Sequence, residues 1–168
     1  MKVRVKVRTV DGTQVPLYAS EGAAGFDLVG TSFKQLFNGK KQVDLTQNLK
    51  HSTSKGYINL RPAERVLIGT GLYMEIPEGY QLEIRSRSGL ALNKGLIVLN
   101  SPGTIDADYR GEIGVILYNS NEYLVEVKLG ERIAQAVLMP VYQAQFDLVE
   151  NLSETERGAG GFGSTGTK

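Results

Sequence analysis

The sequence of 168 residues contains no cysteine and one histidine. Without cysteine there is neither a disulfide framework nor a thiolate metal site, as suits a reducing compartment. The histidine, His51, lies in the polar tract from Gln47 to Lys55 and reads as a solvated side chain, not a catalyst or ligand. An excess of charge of one sign is also missing: 19 Lys and Arg stand against 18 Asp and Glu. That balance gives no reason to expect a nucleic-acid polymer or an anionic membrane as partner. No apolar run approaches the roughly 20 residues of a membrane span. The N-terminal Met1-Lys2-Val3-Arg4-Val5-Lys6-Val7 alternates charge with valine, where a signal peptide needs a continuous apolar stretch. These absences point to one soluble, cytoplasmic domain.

What is present is strand patterning. Hydrophobic residues make up 41% of the chain, enough for a core. Val3, Val5 and Val7 alternate with Lys2, Arg4 and Lys6; Leu72, Met74 and Ile76 alternate, and so do Tyr80, Leu82 and Ile84 against Gln81, Glu83 and Arg85. Val66 with Ile68, Tyr123 with Val125 and Val127, Ile133 to Met139, and Phe146 to Val149 read as further strands. About ten short strands with regular turn signals argue for an all-β sandwich or barrel. One helix is expected, Gly89 to Asn93, with Ser88 as N-cap and Gly95 ending it. Residues 31–56 contain an Asn38-Gly39 turn and a polar tract. The tail from Gly158 to Lys168 holds five glycines and cannot order itself alone. Its Gly158, Gly160 and Gly163 match a dinucleotide-binding spacing, but no βαβ context surrounds them.

The chain is organised around Gly103-Thr104-Ile105-Asp106-Ala107-Asp108-Tyr109-Arg110-Gly111-Glu112, between the apolar runs Leu96–Leu99 and Ile113–Tyr118. Such an excursion leaves backbone donors and acceptors free for the edge of a flat ligand. Tyr109 could lie against that ligand, and Asp106 could take a proton from a neighbouring water. Ordinary turn chemistry, an Asp bonding its own backbone and a Tyr covering the sheet, accounts for the same residues. Arg87, Ser88 and Gly89 offer a guanidinium fork, a hydroxyl and free N–H groups, which together suit a phosphate. The alternative, that Arg85 and Arg87 simply solvate a strand end, fits less well with Ser88-Gly89 directly following.

Five strings stand in order: Ala23–Leu28, Arg87–Ala91, Gly103–Gly111, Gly130–Gln135 and Arg157–Gly166. Together they resemble the five motifs of the trimeric dUTPases, the dUTP nucleotidohydrolases, and the resemblance covers nearly the whole chain. It implies an all-β, distorted jelly roll of the β-clip kind with one short helix, assembling as a homotrimer. Residues 1–156 would form the domain and 157–168 a flexible Gly-rich flap. One gap departs from the family: 31–56 reads as a surface insertion of roughly twenty residues, a length that loops tolerate cheaply, and as a candidate protein-binding surface. A second departure is Ser86, where the family often has proline.

The resemblance also implies chemistry: hydrolysis of dUTP to dUMP and pyrophosphate, keeping uracil out of DNA and supplying dUMP. Asp106 would be the general base. Asn100, Gly103, Thr104 and Ile105 would read uracil, Tyr109 would pack under the deoxyribose, and Phe162 would stack on the base. Arg87, Ser88, Gly89, Gln135, Arg157, Gly163, Ser164 and Thr165 would hold phosphates. Mg2+ would ride mainly on triphosphate oxygens and water, with Asp27 touching that shell indirectly. Competing readings are a dCTP deaminase-like or bifunctional enzyme of the same fold, and a non-catalytic interaction protein using 31–56.

Overall fold

Alternation of apolar and polar side chains sets the strands of this molecule, a computed structural model that describes residues 2–10, 12–46 and 56–161. Among them are thirteen strands and one helix. In order these are β1 (Lys6–Thr9), β2 (Phe26–Val29), β3 (Ser32–Asn38), β4 (Lys41–Asp44), β5 (Tyr57–Leu60), β6 (Arg65–Gly69), β7 (Leu72–Glu75) and β8 (Tyr80–Arg85). Then follow α1 (Ser88–Lys94), β9 (Leu96–Val98), β10 (Gly103–Ile105), β11 (Gly114–Asn119), β12 (Val125–Lys128) and β13 (Arg132–Pro140). The count exceeds ten in part because segment 31–56, expected as a surface insertion, contributes β3 and β4.

A four-stranded sheet runs β10-β8-β13-β2 and a five-stranded sheet β4-β3-β6-β11-β9; β1-β7 and β12-β5 form two-stranded sheets. Leu28, Leu82, Ile84 and Ala136 from the first sheet share one core with Val66, Ile68, Val115 and Leu117 from the second, all buried. This is the distorted jelly roll expected. Where Gly30 passes Ile68 and Ile133, a side chain would press on both, so the crossing between β2 and β3 requires its absence.

Three expectations need correction. Segment 31–56 is not simply a surface loop. Its β3 lies inside the five-stranded sheet between β4 and β6, and Phe33, Leu36 and Leu45 are buried in the core. Apolar residues at those positions favour burial over exposure by about 2 kcal/mol each. The Asn38-Gly39 turn forms, with Gly39 at φ 56°, and Asn38 Nδ2 donates to the buried Glu64 carboxylate at 2.7 Å. The Arg65 guanidinium lies 4.8 Å from the Phe37 ring centroid, adding a cation–π contact to the β3–β6 pairing. His51 and the polar tract at 47–55 lie outside the described residues.

Second, Ser88 is the first residue of α1, not its cap; Arg87 takes the cap position in extended conformation, without a side-chain cap hydrogen bond. Gly95 ends the helix at φ 57°, as the sequence predicts. Third, Phe146–Val149 pairs with no strand among the described residues. Residues 141–149 form no strand, and Tyr142, Phe146 and Leu148 are almost fully exposed. A strand needs a partner edge, and the described residues offer none there. Tyr123 likewise stays exposed, outside β12, while Val125 and Val127 are buried.

Placing Phe33 in the core has a measurable consequence. Phe33→Ala should destabilise the fold by about 3 kcal/mol or more, the range of buried phenylalanine truncation. Urea unfolding checks this; a change within about 0.5 kcal/mol, as for surface sites, would return β3 to the periphery.

Candidate active site

Two groups of the expected site residues gather at opposite uses of strand β8. At its C-terminal end lies the phosphate-type turn. The Asp27 carboxylate accepts from Arg87 Nε at 2.7 Å through one oxygen and from Arg132 Nη1 at 3.0 Å through the other. Arg87 Nη1 also donates to the Arg132 carbonyl at 3.2 Å. Asp27 sits on β2 and Gln135 on β13, directly opposite each other in the ladder, and Gln135 faces Arg85 of β8 on its other side. Gln135 Nε2 donates to the Ser86 carbonyl at 2.9 Å. The sheet therefore holds the Arg87 turn with two side chains from neighbouring strands, and both Asp27 oxygens are engaged by guanidinium groups.

Ser86, Arg132 and Glu112 make contacts to which the sequence reading assigned no role, although Ser86 stands there as a departure from the resembled pattern. The Ser86 hydroxyl accepts the Val98 N–H at 2.9 Å, and its own N–H donates to the Ser101 hydroxyl at 3.3 Å. These clamp the end of β8 to β9 before α1 begins. The signal was available in the serine standing where the resembled family often has proline. The helix itself buries no residue. Its far end is fixed by Ser120 Oγ donating to the Gly95 carbonyl and Asn121 Nδ2 to the Lys94 carbonyl, each at 2.7 Å, and by the Lys94–Glu131 ion pair.

Along β8 the partner is β10, with Gly103 opposite Ile84, Thr104 opposite Glu83 and Ile105 opposite Leu82. As the terminal strand of its sheet, β10 turns one row of backbone N–H and C=O groups away from β8. Gly103 is buried, and a Cβ there would press on the Asn100 amide and on Ile84. Asn100, Gly103, Thr104 and Ile105 thus form one continuous edge leading into Asp106.

Asp106 is exposed, and its carbonyl accepts the Tyr109 N–H at 3.2 Å, closing a turn. Arg110 staples that turn, donating through Nη1 to the carbonyls of Ala107 at 2.6 Å and Tyr109 at 3.0 Å. The Tyr109 ring folds back over Gly111, where any side chain would collide with it, and its hydroxyl donates to the Glu112 carbonyl at 3.0 Å. Turn chemistry is therefore real here, yet it leaves the Asp106 carboxylate without a hydrogen-bond partner among the described residues.

Asp106 lines an open cleft of about 680 Å3 with Glu75, Glu78, Asp108 and Arg110. Lys6, hydrogen-bonded to Glu75 and attracting it, holds that carboxyl below its usual range, with Arg110 adding to the effect. The cleft carries four carboxylates against one guanidinium, so an anionic ligand there needs cations from elsewhere. Arg87, Ser88 and Gly89 do not line it. Arg157 lies apart in a local turn, Nε donating to the Gly160 carbonyl at 2.8 Å. Phe162, Gly163, Ser164 and Thr165 lie outside the described residues. Among the described residues no three carboxylate, histidine or cysteine side chains cluster as metal ligands, and no helix is long and apolar enough to cross a membrane.

Comparison with known proteins matches this arrangement to one family. A family model described as dUTPase matches residues 51–166. The chain is 48% identical to the deoxyuridine 5'-triphosphate nucleotidohydrolase of Nautilia profundicola, with 99% of each chain covered. It is 46% identical to that of Roseobacter denitrificans, covering 98% of this chain and 97% of the relative. Among solved structures it resembles the dUTPase of Staphylococcus bacteriophage 80alpha with dUpNHpp, at TM-score 0.76 and 25% identity, covering 98% and 99% of the two chains. The fold of the dUTPase from phage phi11 of S. aureus, in which a structural Mg(II) ion is coordinated, also matches, at TM-score 0.68 and 20% identity.

Proposed function

The chain belongs to the dUTPase family, and on that premise we propose that it hydrolyses dUTP to dUMP and pyrophosphate with Asp106 as general base. The observation that carries the assignment of residues is the outer edge of β10, unpaired among the described residues, running straight into a carboxylate that has no hydrogen-bond partner among them, with the Tyr109 ring folded over Gly111 in the same loop. Backbone groups of Gly103, Thr104 and Ile105, with the Asn100 side chain, pair with the uracil edge. Cytosine presents a donor where uracil presents an acceptor, and a buried mismatch of that kind discriminates strongly. Tyr109 packs under the deoxyribose and leaves no space for a 2′-hydroxyl.

Asp106 takes a proton from a water whose oxygen bonds to the α-phosphorus as the bond from that phosphorus to the β-bridging oxygen breaks; pyrophosphate leaves with the electron pair. Arg87, Ser88, Gly89 and Gln135 bind and orient phosphate oxygens, and Asp27 with Arg132 fixes the Arg87 fork. The flap, with Arg157, Phe162, Gly163, Ser164 and Thr165, closes over γ-phosphate and base. As to Mg2+, the described residues do not build a dedicated cage, and Asp27 is committed to two arginines. An Mg2+ held mainly by the triphosphate itself would fit this donor set and would supply charge neutralisation there, with Asp27 reaching it at most indirectly. A cysteine-free chain acting on a nucleotide suits the cytoplasm.

The working unit in this reading is a homotrimer with shared sites. The acidic cleft at Asp106 lacks the cations a triphosphate needs, while Arg87 stands outside it. Along 142–152, Tyr142, Phe146, Leu148 and Leu152 fall at even positions and are nearly all exposed, the pattern of a strand that lacks its partner. A second chain supplies both wants.

Pyrophosphate release from dUTP, dCTP, dTTP and UTP is the direct assay. The expected result is activity confined largely to dUTP; ammonia release from dCTP would instead mark a deaminase. Asp106→Asn should retain nucleotide binding while kcat falls about 10²- to 10⁴-fold. Near-normal turnover in that variant removes Asp106 from the mechanism. Sharing of sites is checked by unfolding and jointly refolding Asp106→Asn with a chain truncated before Arg157. Recovered activity is expected, because some mixed sites combine an intact Asp106 with an intact flap. A monomer by light scattering would sink the shared-site reading.

A further inference from the structure

We infer that Lys34 is a positioning residue which, through Glu112, sets the stance of Tyr109 and so contributes to rejecting ribonucleotides; the inference rests on the proposed role of Tyr109. Lys34 comes from β3, in the stretch between the first two motifs, and touches none of the groups assigned to the nucleotide. Its Nζ lies 2.9 Å from Glu112 Oε2. The other oxygen, Oε1, accepts the Gly71 N–H at 2.9 Å. The Glu112 carboxylate is thus tied at both ends, to β3 and to the turn between β6 and β7. Its main-chain carbonyl is the acceptor for the Tyr109 hydroxyl. One residue therefore joins Lys34 on one side to the tyrosine on the other.

The local backbone leaves room for this arrangement. A Cβ on Gly69 would collide with Glu112 Oε1, Lys34 Cε and Ser32 Oγ, so the ion pair lies across the bare backbone of β6. Gly111 does the same for the Tyr109 ring. The Glu112 side chain is 19% exposed and that of Lys34 34%, so the pair is partly withdrawn from water, unlike the Lys6–Glu75 pair at 76% and 47%. Removing the lysine leaves a largely buried carboxylate without its counter-charge, and such a group moves toward water or neutralises. A side chain that swings toward water pulls the Glu112 backbone with it, and a neutral one loosens the tie to β3. Tyr109 sits in an exposed loop, and among the described residues the bond to that carbonyl is the one its side chain makes; its backbone is held by the Asp106 carbonyl and by Arg110.

A purely architectural ion pair is the competing account, since Ile113 next door is already bonded to Thr70 and Leu72. The two differ in what they change. kcat/KM for dUTP and for UTP should be measured for the full-length enzyme and for Lys34→Met, Lys34→Arg, Glu112→Gln, the Lys34→Met/Glu112→Gln pair and Tyr109→Ala, with unfolding midpoints alongside. Lys34→Met should lower the preference for dUTP over UTP about three- to ten-fold, the scale of coupling from residues that do not touch ligand. Lys34→Arg should restore most of it. Glu112→Gln keeps an acceptor for Gly71 and should reproduce the loss, and the double variant should be no worse than either single one. An unchanged preference in both Lys34→Met and Glu112→Gln, with Tyr109→Ala narrowing it, overturns the inference and leaves Tyr109 its role. An unchanged preference in Tyr109→Ala overturns the reading of Tyr109 and this inference with it.

Discussion

A short buried clasp between Thr70–Leu72 and Ile113 decides where the Asp106 loop stands. The Ile113 carbonyl accepts from both the N–H and the hydroxyl of Thr70, at 3.2 and 2.7 Å, and the Ile113 N–H donates to the Leu72 carbonyl at 2.8 Å. Thr70, Leu72 and Ile113 are all buried, so none of these groups can turn to water instead. Leaving one such group unpaired costs about 1–3 kcal/mol, which makes the clasp close to obligatory. On one side of it β11 runs back into the sheet beside β6. On the other, residues 106–112 stand out as a loop whose free end is tied to the edge strand β10. The loop's position is thus set by the core, while its own side chains remain available for chemistry.

The phosphate-type turn is held on a different principle. Its helix has seven residues and none is buried, too short and too exposed to be stable by its own hydrogen bonds. Polar ties at each end replace packing: Ser86, Gln135 and Asp27 with Arg132 at the start, and Ser120, Asn121 and Lys94 at the finish. Such ties orient a backbone without covering it. That is what a segment needs if its first N–H groups and an arginine fork are to meet a ligand.

How far the sequence could reveal this follows from the range of each force. β8 carries a clean period-two pattern, β6 an alternating Val66 and Ile68, and β11 an apolar run, and all three were legible, as were Gly39 and Gly95, whose positive φ favours a residue without a side chain. β4 and the Ser88 boundary were not, the first because its residues lay in a stretch read as a loop, the second because helix starts depend on which side chain reaches which N–H in space. Phe33, Leu36 and Leu45 were apolar in plain view. Polar neighbours and an unusual length drew attention to the surface, and only the pairing of β3 with β6 shows their burial. The motifs name Asp106, Tyr109, Arg87 and Gln135 in one pass, whereas the contacts of Arg132 with Asp27 and of Glu112 with Tyr109 join parts of the chain that no local pattern connects.

The arm beyond β13 carries the remaining constraint. After Val141 donates its N–H to the Gly79 carbonyl, residues 142–149 form no strand, and large apolar side chains along the arm face water. Exposing several of them on one face of an extended segment is unfavourable by about 2 kcal/mol each, a substantial fraction of the 5–15 kcal/mol that keeps a typical domain folded. A second copy of the chain that covers this face recovers that energy, and it can bring Arg87 towards a cleft at Asp106 that is too acidic to hold phosphates by itself. In the proposed trimer, then, association and catalysis draw on the same surfaces. The exposed arm is a stability cost for the isolated chain and the means by which a complete site forms, so assembly and activity should respond together to protein concentration.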